Sequence, residues 1–485
     1  MTTVLRQERS ESSSFTEGVE RDFSSVLADF ICELDPHSLP SGVRQAARAN
    51  ILDTLVCAVA GSSAQGVEEV RELVTSWGGA PQASVLVFGN RLPAHQAAWI
   101  NGMMAHARDY DDTHDAAVLH AGVSVVPAAL AAAQLRGQVS GAELIAGVAV
   151  GLEVISRLGM ATKVSIIESG FMYTSLFGHF AATAAAATIL RLDRGQIINA
   201  LGIGYSQVAG NHQVTRDAAL TKRMQPGFAA MSALISVQLA QKGVRGAQNT
   251  FEGQDGFLRV YLHDRCDREK LRSGLGKKFE FVQLSYKPYP NCRFNHAAIG
   301  AALALKAKHQ IAGDQVRSVK VGVNHQAYQA VCTPDPIRKN PQTVVQAQFS
   351  IPYTVAAALT DGGVYLGHFA PTSFERADIM ALARKVDGYV NEDIEKKSGR
   401  GVTPALVEIE MLDGVKHVMQ IDFPLGHPSN PMTAQDFVNK ASDCFAMAQV
   451  PLKKDGSAAL KKLVDGMVQM KDTRELLGVV CSAGG

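Results

Sequence analysis

From His106 to His120 the chain reads His-Ala-Arg-Asp-Tyr-Asp-Asp-Thr-His-Asp-Ala-Ala-Val-Leu-His, which places four carboxylates, three imidazoles and a threonine hydroxyl in one short stretch. Alanine-rich sequence that reads as buried helix flanks it. Polar groups in apolar surroundings are costly unless they are paired or put to use. A helix over Met103 to Thr113 would set His106 and Asp109 on one face at i,i+3, and Asp112 and Thr113 would continue that face. Acid and base groups converging at the end of an apolar helix suit proton transfer. A helix N-cap with a solvated acidic turn accounts for Asp111-Asp112-Thr113 equally well.

Two further stretches carry cations. Thr221-Lys222-Arg223-Met224-Gln225-Pro226-Gly227 opens an apolar helix, and a helix N-terminus beside Lys222 and Arg223 makes an anion site. Lys287-Pro288-Tyr289-Pro290-Asn291-Cys292-Arg293-Phe294-Asn295-His296 is stiffened by two prolines, so Lys287, Arg293 and His296 come from a rigid segment. His212 and Arg216 fall in a polar loop, either as lining or as surface. An excess of cations and histidines around a few acids suits a substrate with two or three carboxylates. Removing a proton α to a carboxylate builds charge there, which fixed cations stabilise. A metal on Asp109, Asp112, His114 and His120 lacks any tight ligand motif such as H-E-x-x-H, so no metal is expected.

The elements that must position these groups change style once, near residue 282. From Phe23 to about Glu280 the pattern is helical, with alanine-rich segments such as Ala181 to Leu190 and Gly227 to Lys242. Beyond Tyr286, Val316 to Val323 alternates as a half-buried strand. Leu406 to Leu412 and Val415 to Phe423 form a hairpin about Asp413-Gly414. Helices are expected at Val344 to Thr360 and Ser373 to Val386, and again at Thr433 to Ala446 and Leu460 to Met470. The fold class is therefore mainly α: a large helical domain built from both chain ends (23–281 and 426–485), with a smaller α+β lid domain inserted at 282–425. Residues 1–22 read as a disordered lead-in without an apolar signal core.

A length of 485 residues with 46% hydrophobic content supports such a two-part interior. A net charge of +1 and the absence of a basic stripe give no case for nucleic acid. The apolar runs Ala121 to Leu135 and Gly141 to Val154 are interrupted by Pro127 or by Glu143 and Glu153, which argues against a membrane span. Seven scattered cysteines, without a C-x-x-C pair, fit a reducing cytoplasm and argue against disulfides, structural zinc or an iron–sulfur cluster.

Several separated motifs make the chain similar to the MmgE/PrpD family of dehydratases, decarboxylases and epimerases. They are Ile51-Leu52-Asp53-Thr54-Leu55, Asn101-Gly102, Asp109-Tyr110-Asp111-Asp112-Thr113 with His120, and Ala200-Leu201-Gly202-Ile203. Lys222 with Pro226-Gly227, Glu252-Gly253 with Gly256-Phe257, and Lys287 to His296 complete the set. The resemblance implies a helical domain with an α+β lid, a homodimer and no organic cofactor. It also implies active-site roles for Asp109, Thr113, His120, Lys222, Lys287 and a tyrosine placed at Tyr328. One position departs: where many relatives carry histidine in a Gly-aromatic-His-Pro-Thr motif, this chain has Gly170-Phe171-Met172-Tyr173-Thr174. Methionine cannot shuttle protons, and Tyr173 is the candidate to take over part of that role.

The expectation is a cofactor-free lyase or isomerase acting on a small di- or tricarboxylate. Dehydration of a citrate-like hydroxy acid leads; decarboxylation of a cis-aconitate-like acid and epimerisation of a dicarboxylate are the alternatives, with a non-catalytic carboxylate-binding protein as the alternative of another class. His120 and Asp109 would handle protons. Lys222, Arg223, Lys287, Arg293 and His296 would hold carboxylates, with Met172 and Tyr173 shaping the fit.

Overall fold

Asp22 ties the first described helix to a distant segment. The computed structural model describes residues 21–398, 401 and 404–482. The expected lead-in thus lies outside the described residues as far as residue 20, while Asp22 belongs to the fold. Its carboxylate accepts the Ser24 amide at the start of α1 (Phe23–Glu33) and also the amides of Phe251 and Glu252. One buried acid therefore caps a helix and anchors a segment more than two hundred residues away.

The protein is mainly α-helical. After α1 come α2 (Ser41–Gly61) and α3 (Val67–Trp77), a two-stranded ribbon of β1 (Ala83–Ser84) and β2 (Arg91–Leu92), then α4 (Ala94–His106), α5 (Gly122–Arg136) and α6 (Gly141–Ala161). The short α7 (Ile166–Ser169) leads into α8 (Tyr173–Ile189), α9 (Arg194–Tyr205), the single turn α10 (Gln213–Arg216) and α11 (Gln225–Gln241). Pro127 does not end α5, which runs on for nine residues beyond it. Helix α8 is the hub and packs on α5, α6, α9 and α11. Its Ala181 to Ala187 run is buried on nearly every side, because small side chains let several helix axes approach at once.

Helix α6 is long and apolar enough to cross a bilayer, yet 94% of its most apolar window is buried within the protein. It also carries a buried ion pair in which Arg157 Nε donates to Glu153 (2.6 Å). The same guanidinium collects the carbonyls of Leu271, Ser273 and Lys278, so it is fully engaged.

A second buried core runs from Cys292 to Ile409. Its sheet has the order β4-β3-β5-β6, built from β3 (Val316–Val323), β4 (Val386–Val390), β5 (Ala405–Met411) and β6 (Lys416–Ile421). Strands β3, β5 and β6 are antiparallel neighbours, with Gly414 at φ +87° in the β5–β6 turn, while β4 runs parallel to β3. Two expected helices differ. Val344 to Thr360 is split, because Ser350 caps the Tyr353 amide and Pro352 starts a new helix over Ile351–Asp361. Ser373 to Val386 is split into the end of a 3₁₀ turn (Pro371–Glu375) and a short helix over Ala377–Ala383. Val386 begins β4, an edge strand whose Val-Asp-Gly-Tyr-Val is too short and mixed to carry a strand signature of its own. Beyond residue 424 the helices Ala434–Ala446 and Gly456–Asp465 return to pack on α2. The latter starts before and ends short of the expected Leu460 to Met470, because Gly466 breaks it before a 3₁₀ turn at Met467–Gln469. All seven cysteines are free thiols.

Within the α8–α11 contact, His179 Nδ1 lies 2.6 Å from Ser232 Oγ, and burial holds this imidazole at about 4. The unfolded chain takes up a proton near pH 6.5 that the folded chain refuses until about pH 4. The associated stability is therefore complete above 6.5 and lost as pH falls through the folded value. His179→Gln is expected to flatten the loss of unfolding free energy between pH 6.5 and 4 by about 3 kcal/mol, read from urea titrations across that window. Parallel pH profiles for the two proteins would contradict this.

Candidate active site

Helix α4 stops at His106, not at Thr113 as the periodicity implied. Asp109 takes φ +52°, a left-handed conformation that aspartate tolerates better than most residues, and the chain leaves the helix there. Two buried lysines hold consecutive carbonyls of that turn: Lys287 Nζ donates to Asp109 O (2.8 Å) and Lys440 Nζ to Tyr110 O (2.7 Å). A buried loop, not helical spacing, aligns the cluster. Nor is the acidic turn solvated, since Asp109, Asp111, Asp112 and Thr113 are at most 4% exposed.

Small residues bring the cations in. A Cβ on Gly102 of α4 would stand 2.8 Å from the Cα of Gly227 in α11. Only glycine at both positions lets the two helices cross this closely. The crossing sets Lys222, on the 3₁₀ turn Leu220–Met224 that precedes α11, against the end of α4. Lys287 arrives separately, through an antiparallel bridge in which Thr113 and Ser285 exchange backbone hydrogen bonds of 2.9 and 2.7 Å.

The side chains form a continuous network. Lys222 Nζ donates to His106 Nε2 (3.1 Å), His106 Nδ1 donates to Asp111 Oδ2 (2.9 Å), and His120 Nδ1 stands 2.8 Å from the same oxygen. A bare ring nitrogen would be repelled by that carboxylate, so each imidazole carries its proton on Nδ1. His120 Nε2 then faces Asp109 Oδ1 at 3.9 Å. Burial, reinforced by Lys222 and only partly offset by Asp111, holds the His106 imidazole at about 4, so it is neutral at physiological pH. Burial opposes the charge on Asp109, but Lys222 and Lys287 outweigh it and hold the carboxyl far below the usual range. Lys287 Nζ lies 2.7 Å from Oδ1 and Lys222 Nζ lies 3.5 Å from Oδ2, which has no hydrogen-bond partner among the described residues.

The neighbouring acids fix the scaffold. Asp112 accepts the amides of Ala121 and Gly122 at 2.9 Å, and burial, followed by the adjacent Asp111, raises its carboxyl. Asp115 accepts Thr113 Oγ1 (2.8 Å), Ser285 Oγ (2.8 Å) and the Arg293 guanidinium (3.1 Å). Ligand atoms of His106, Asp109, Asp111 and His120 lie within 4.8 Å of one another, close enough to hold a cation. Two ammonium groups already supply Asp109 with the positive charge a metal would bring, and imidazole protons face Asp111. The donor set suits proton transfer better than metal ligation.

A cavity of about 640 Å³ opens at the junction of the two cores. Of the expected site residues, Asp109, Thr113, His120, Lys222, Arg293 and Met172 line it. Lys287 is fully buried behind Asp109. The other four candidates are not brought to this cavity. Arg223 donates to the Gln65 carbonyl, and burial pushes its guanidinium down to about 10. The His296 ring is enclosed between Arg293 Nη1 and the Asn291 carbonyl, both at 3.3 Å. The Tyr173 hydroxyl donates to Val164 O (2.7 Å), and Tyr328 packs on the second core while its neighbours Gln329 and Ala330 line the cavity.

Sequence reasoning placed His106 in the acid/base cluster without giving it a role and gave Asp111 none, although both lie inside the richest stretch. The i,i+5 spacing that joins them has no meaning in a helix. Asp53 and Lys440 were missed as a pair because they are 387 residues apart. Thr215, Cys292, Arg338 and Phe349 also line the cavity and carry no local signal.

Profiles of known families match this architecture: the MmgE/PrpD N-terminal domain over residues 25–269 and the MmgE/PrpD C-terminal domain over residues 289–464. The chain is 26% identical to a cis-aconitate decarboxylase of Aspergillus terreus over 435 residues, covering 86% of this chain and 88% of that one. It is 26% identical to the "cis-aconitate decarboxylase-like protein oryM" of Aspergillus oryzae, covering 81% and 85%. It is 25% identical to the cis-aconitate decarboxylase of Homo sapiens, covering 93% of each chain. With both domain profiles matched in order across most of its length, this chain belongs to the MmgE/PrpD family.

Proposed function

We propose that the protein is a lyase that acts on a small di- or tricarboxylate by proton transfer next to a carboxylate, and that its reaction is decarboxylation of a cis-aconitate-like unsaturated acid. One observation carries the reading: His120 Nε2 and the ionised Asp109, backed by Lys222, face a cavity at the core junction. The relatives' decarboxylase names support the choice of reaction. In a β,γ-unsaturated acid, the electrons of the C–CO₂ bond become a new C=C bond as CO₂ leaves. The old π pair takes a proton at its far carbon. With Nε2 protonated as well as Nδ1, His120 supplies that proton from Nε2 and then recovers it from water, and Lys222 balances carboxylate charge as it shifts.

Dehydration of a citrate-like hydroxy acid is the second reading. Asp109 Oδ2 has no hydrogen-bond partner among the described residues, and the other oxygen of the same carboxylate stands 3.9 Å from His120 Nε2, so a carboxylate base and an imidazole share one wall, as an elimination requires.

Both readings are tested by incubating the protein with cis-aconitate, citrate and 2-methylcitrate in heavy water and following proton NMR. The expected result is loss of CO₂ from the unsaturated acid with one deuterium built into the product, unaffected by EDTA. Loss of water from the hydroxy acids would select the second reading. Binding without any chemical change would overturn both.

A further inference from the structure

The cavity has a second polar wall that the proton-transfer network does not use. His212, Thr215 and Arg216 line it, presented by α10 and the residue before it. His212 Nδ1 and Thr215 Oγ1 are buried without a hydrogen-bond partner among the described residues. Buried polar atoms are almost always satisfied, so two orphans on one cavity wall point to a ligand. The Arg216 side chain makes no ion pair or hydrogen bond among the described residues. The other guanidiniums lining the cavity are committed elsewhere, Arg293 to Asp115 and Arg338 to the carbonyls of Thr333 and Ala330. Most of the remaining lining is apolar, including Val118, Leu119, Ile166, Ile167 and Met172.

This wall is held rigidly. The His212 amide donates to Gly170 O (2.7 Å), and Gln225, at the start of α11, accepts the Asn211 amide (2.7 Å) while donating to the Asn211 carbonyl (3.1 Å). Burial, with Arg216 and then Lys222 as nearby charges, keeps the His212 imidazole at about 4. The ring is therefore neutral at physiological pH, with one N–H to donate. A buried imidazole nitrogen and a buried hydroxyl without partners among the described residues, lining the cavity together with the exposed Arg216 guanidinium, form a donor set matched to a carboxylate.

We infer that His212, Thr215 and Arg216 form a second carboxylate subsite, which binds a substrate carboxylate remote from the carbon that exchanges its proton. The inference rests on reading the cavity as a carboxylate site, and it narrows the substrate to acids whose carboxylates span both walls. Monocarboxylates and compact diacids would leave the second wall unsatisfied.

Calorimetric binding of two unreactive acids, propane-1,2,3-tricarboxylate and the more compact succinate, which lacks the remote carboxylate, tests this in the full chain without turnover. The wild type is expected to prefer the tricarboxylate by about ten-fold or more, as a charge-assisted contact would give. Arg216→Ala and the isosteric Thr215→Val should each compress that ratio toward one. A ratio unchanged in both variants, equal weakening of both acids, or no binding of the tricarboxylate by the wild type would overturn the subsite. A subsite that behaves as expected in a protein that converts none of the panel acids would keep this inference and sink the lyase reading.

Discussion

His120→Ala is expected to lower substrate turnover and proton exchange by about 10²–10⁴-fold, the usual contribution of a positioned general acid or base. The imidazole is half-enclosed, with Nδ1 against Asp111 and Nε2 left toward Asp109. Removing it takes away the group that presents a proton to the cavity while leaving the Lys222–His106–Asp111 chain behind it intact. Its side chain borders the cavity, so truncation enlarges an existing space and the fold should survive. Met172 provides the contrast. It lines the same cavity through a thioether, so Met172→Ala should change KM modestly and leave the pH profile in place. Exchange of substrate protons followed by NMR in heavy water reads both variants. If Met172→Ala removes the chemistry and His120→Ala keeps it, proton transfer belongs to another part of the cavity wall.

The second large effect concerns stability. Lys440 Nζ donates to Asp53 Oδ1 (2.6 Å) and to Tyr110 O (2.7 Å), and its ammonium stands 4.4 Å from the centre of the Tyr110 ring. Both charges of this pair are buried, and burial already raises the Asp53 carboxyl to about 6 against the pull of Lys440. Lys440→Met keeps the methylene packing but strands the carboxylate. The expected cost at neutral pH is about 3–5 kcal/mol, the usual penalty for breaking a buried pair from one side. Without the lysine the folded pKa of Asp53 rises further above its unfolded value. The deficit should therefore shrink as the pH falls below that raised value and Asp53 takes up a proton. Urea unfolding at pH 7 and 5 measures both. A deficit independent of pH would mean that Lys440 stabilises by packing and not by charge. Turnover should fall as well, because Tyr110 lies between Asp109 and Asp111 and its carbonyl would lose a donor.

How much of this was legible in the chain depended on distance along it. The crowding of Asp109, Asp111, Asp112, Thr113 and His120 in one stretch was readable because those residues are neighbours in sequence. The β5–β6 hairpin followed from Asp413-Gly414, and the helical character of the first half followed from small apolar residues at helical spacing. Each of these is a local signal, carried by backbone preferences and by side chains a few residues apart. The loop that breaks α4 at His106 was not legible. The left-handed turn at Asp109 is held by Lys287 and Lys440, which come from 178 and 330 residues further along the chain to Asp109 and Tyr110. The same limit explains why Arg223, His296, Tyr173 and Tyr328 were expected at the site and stand elsewhere. Residue type states what chemistry a side chain can do, but which way it faces is settled by the packing around it. The sequence by itself determined the family and the mainly helical fold, and it displayed the residue types from which a chemistry could be proposed. Tertiary structure alone decided which cations meet which carboxylates, and that His212 and Thr215 reach the cavity, because those contacts exist only once distant segments have closed around one buried space.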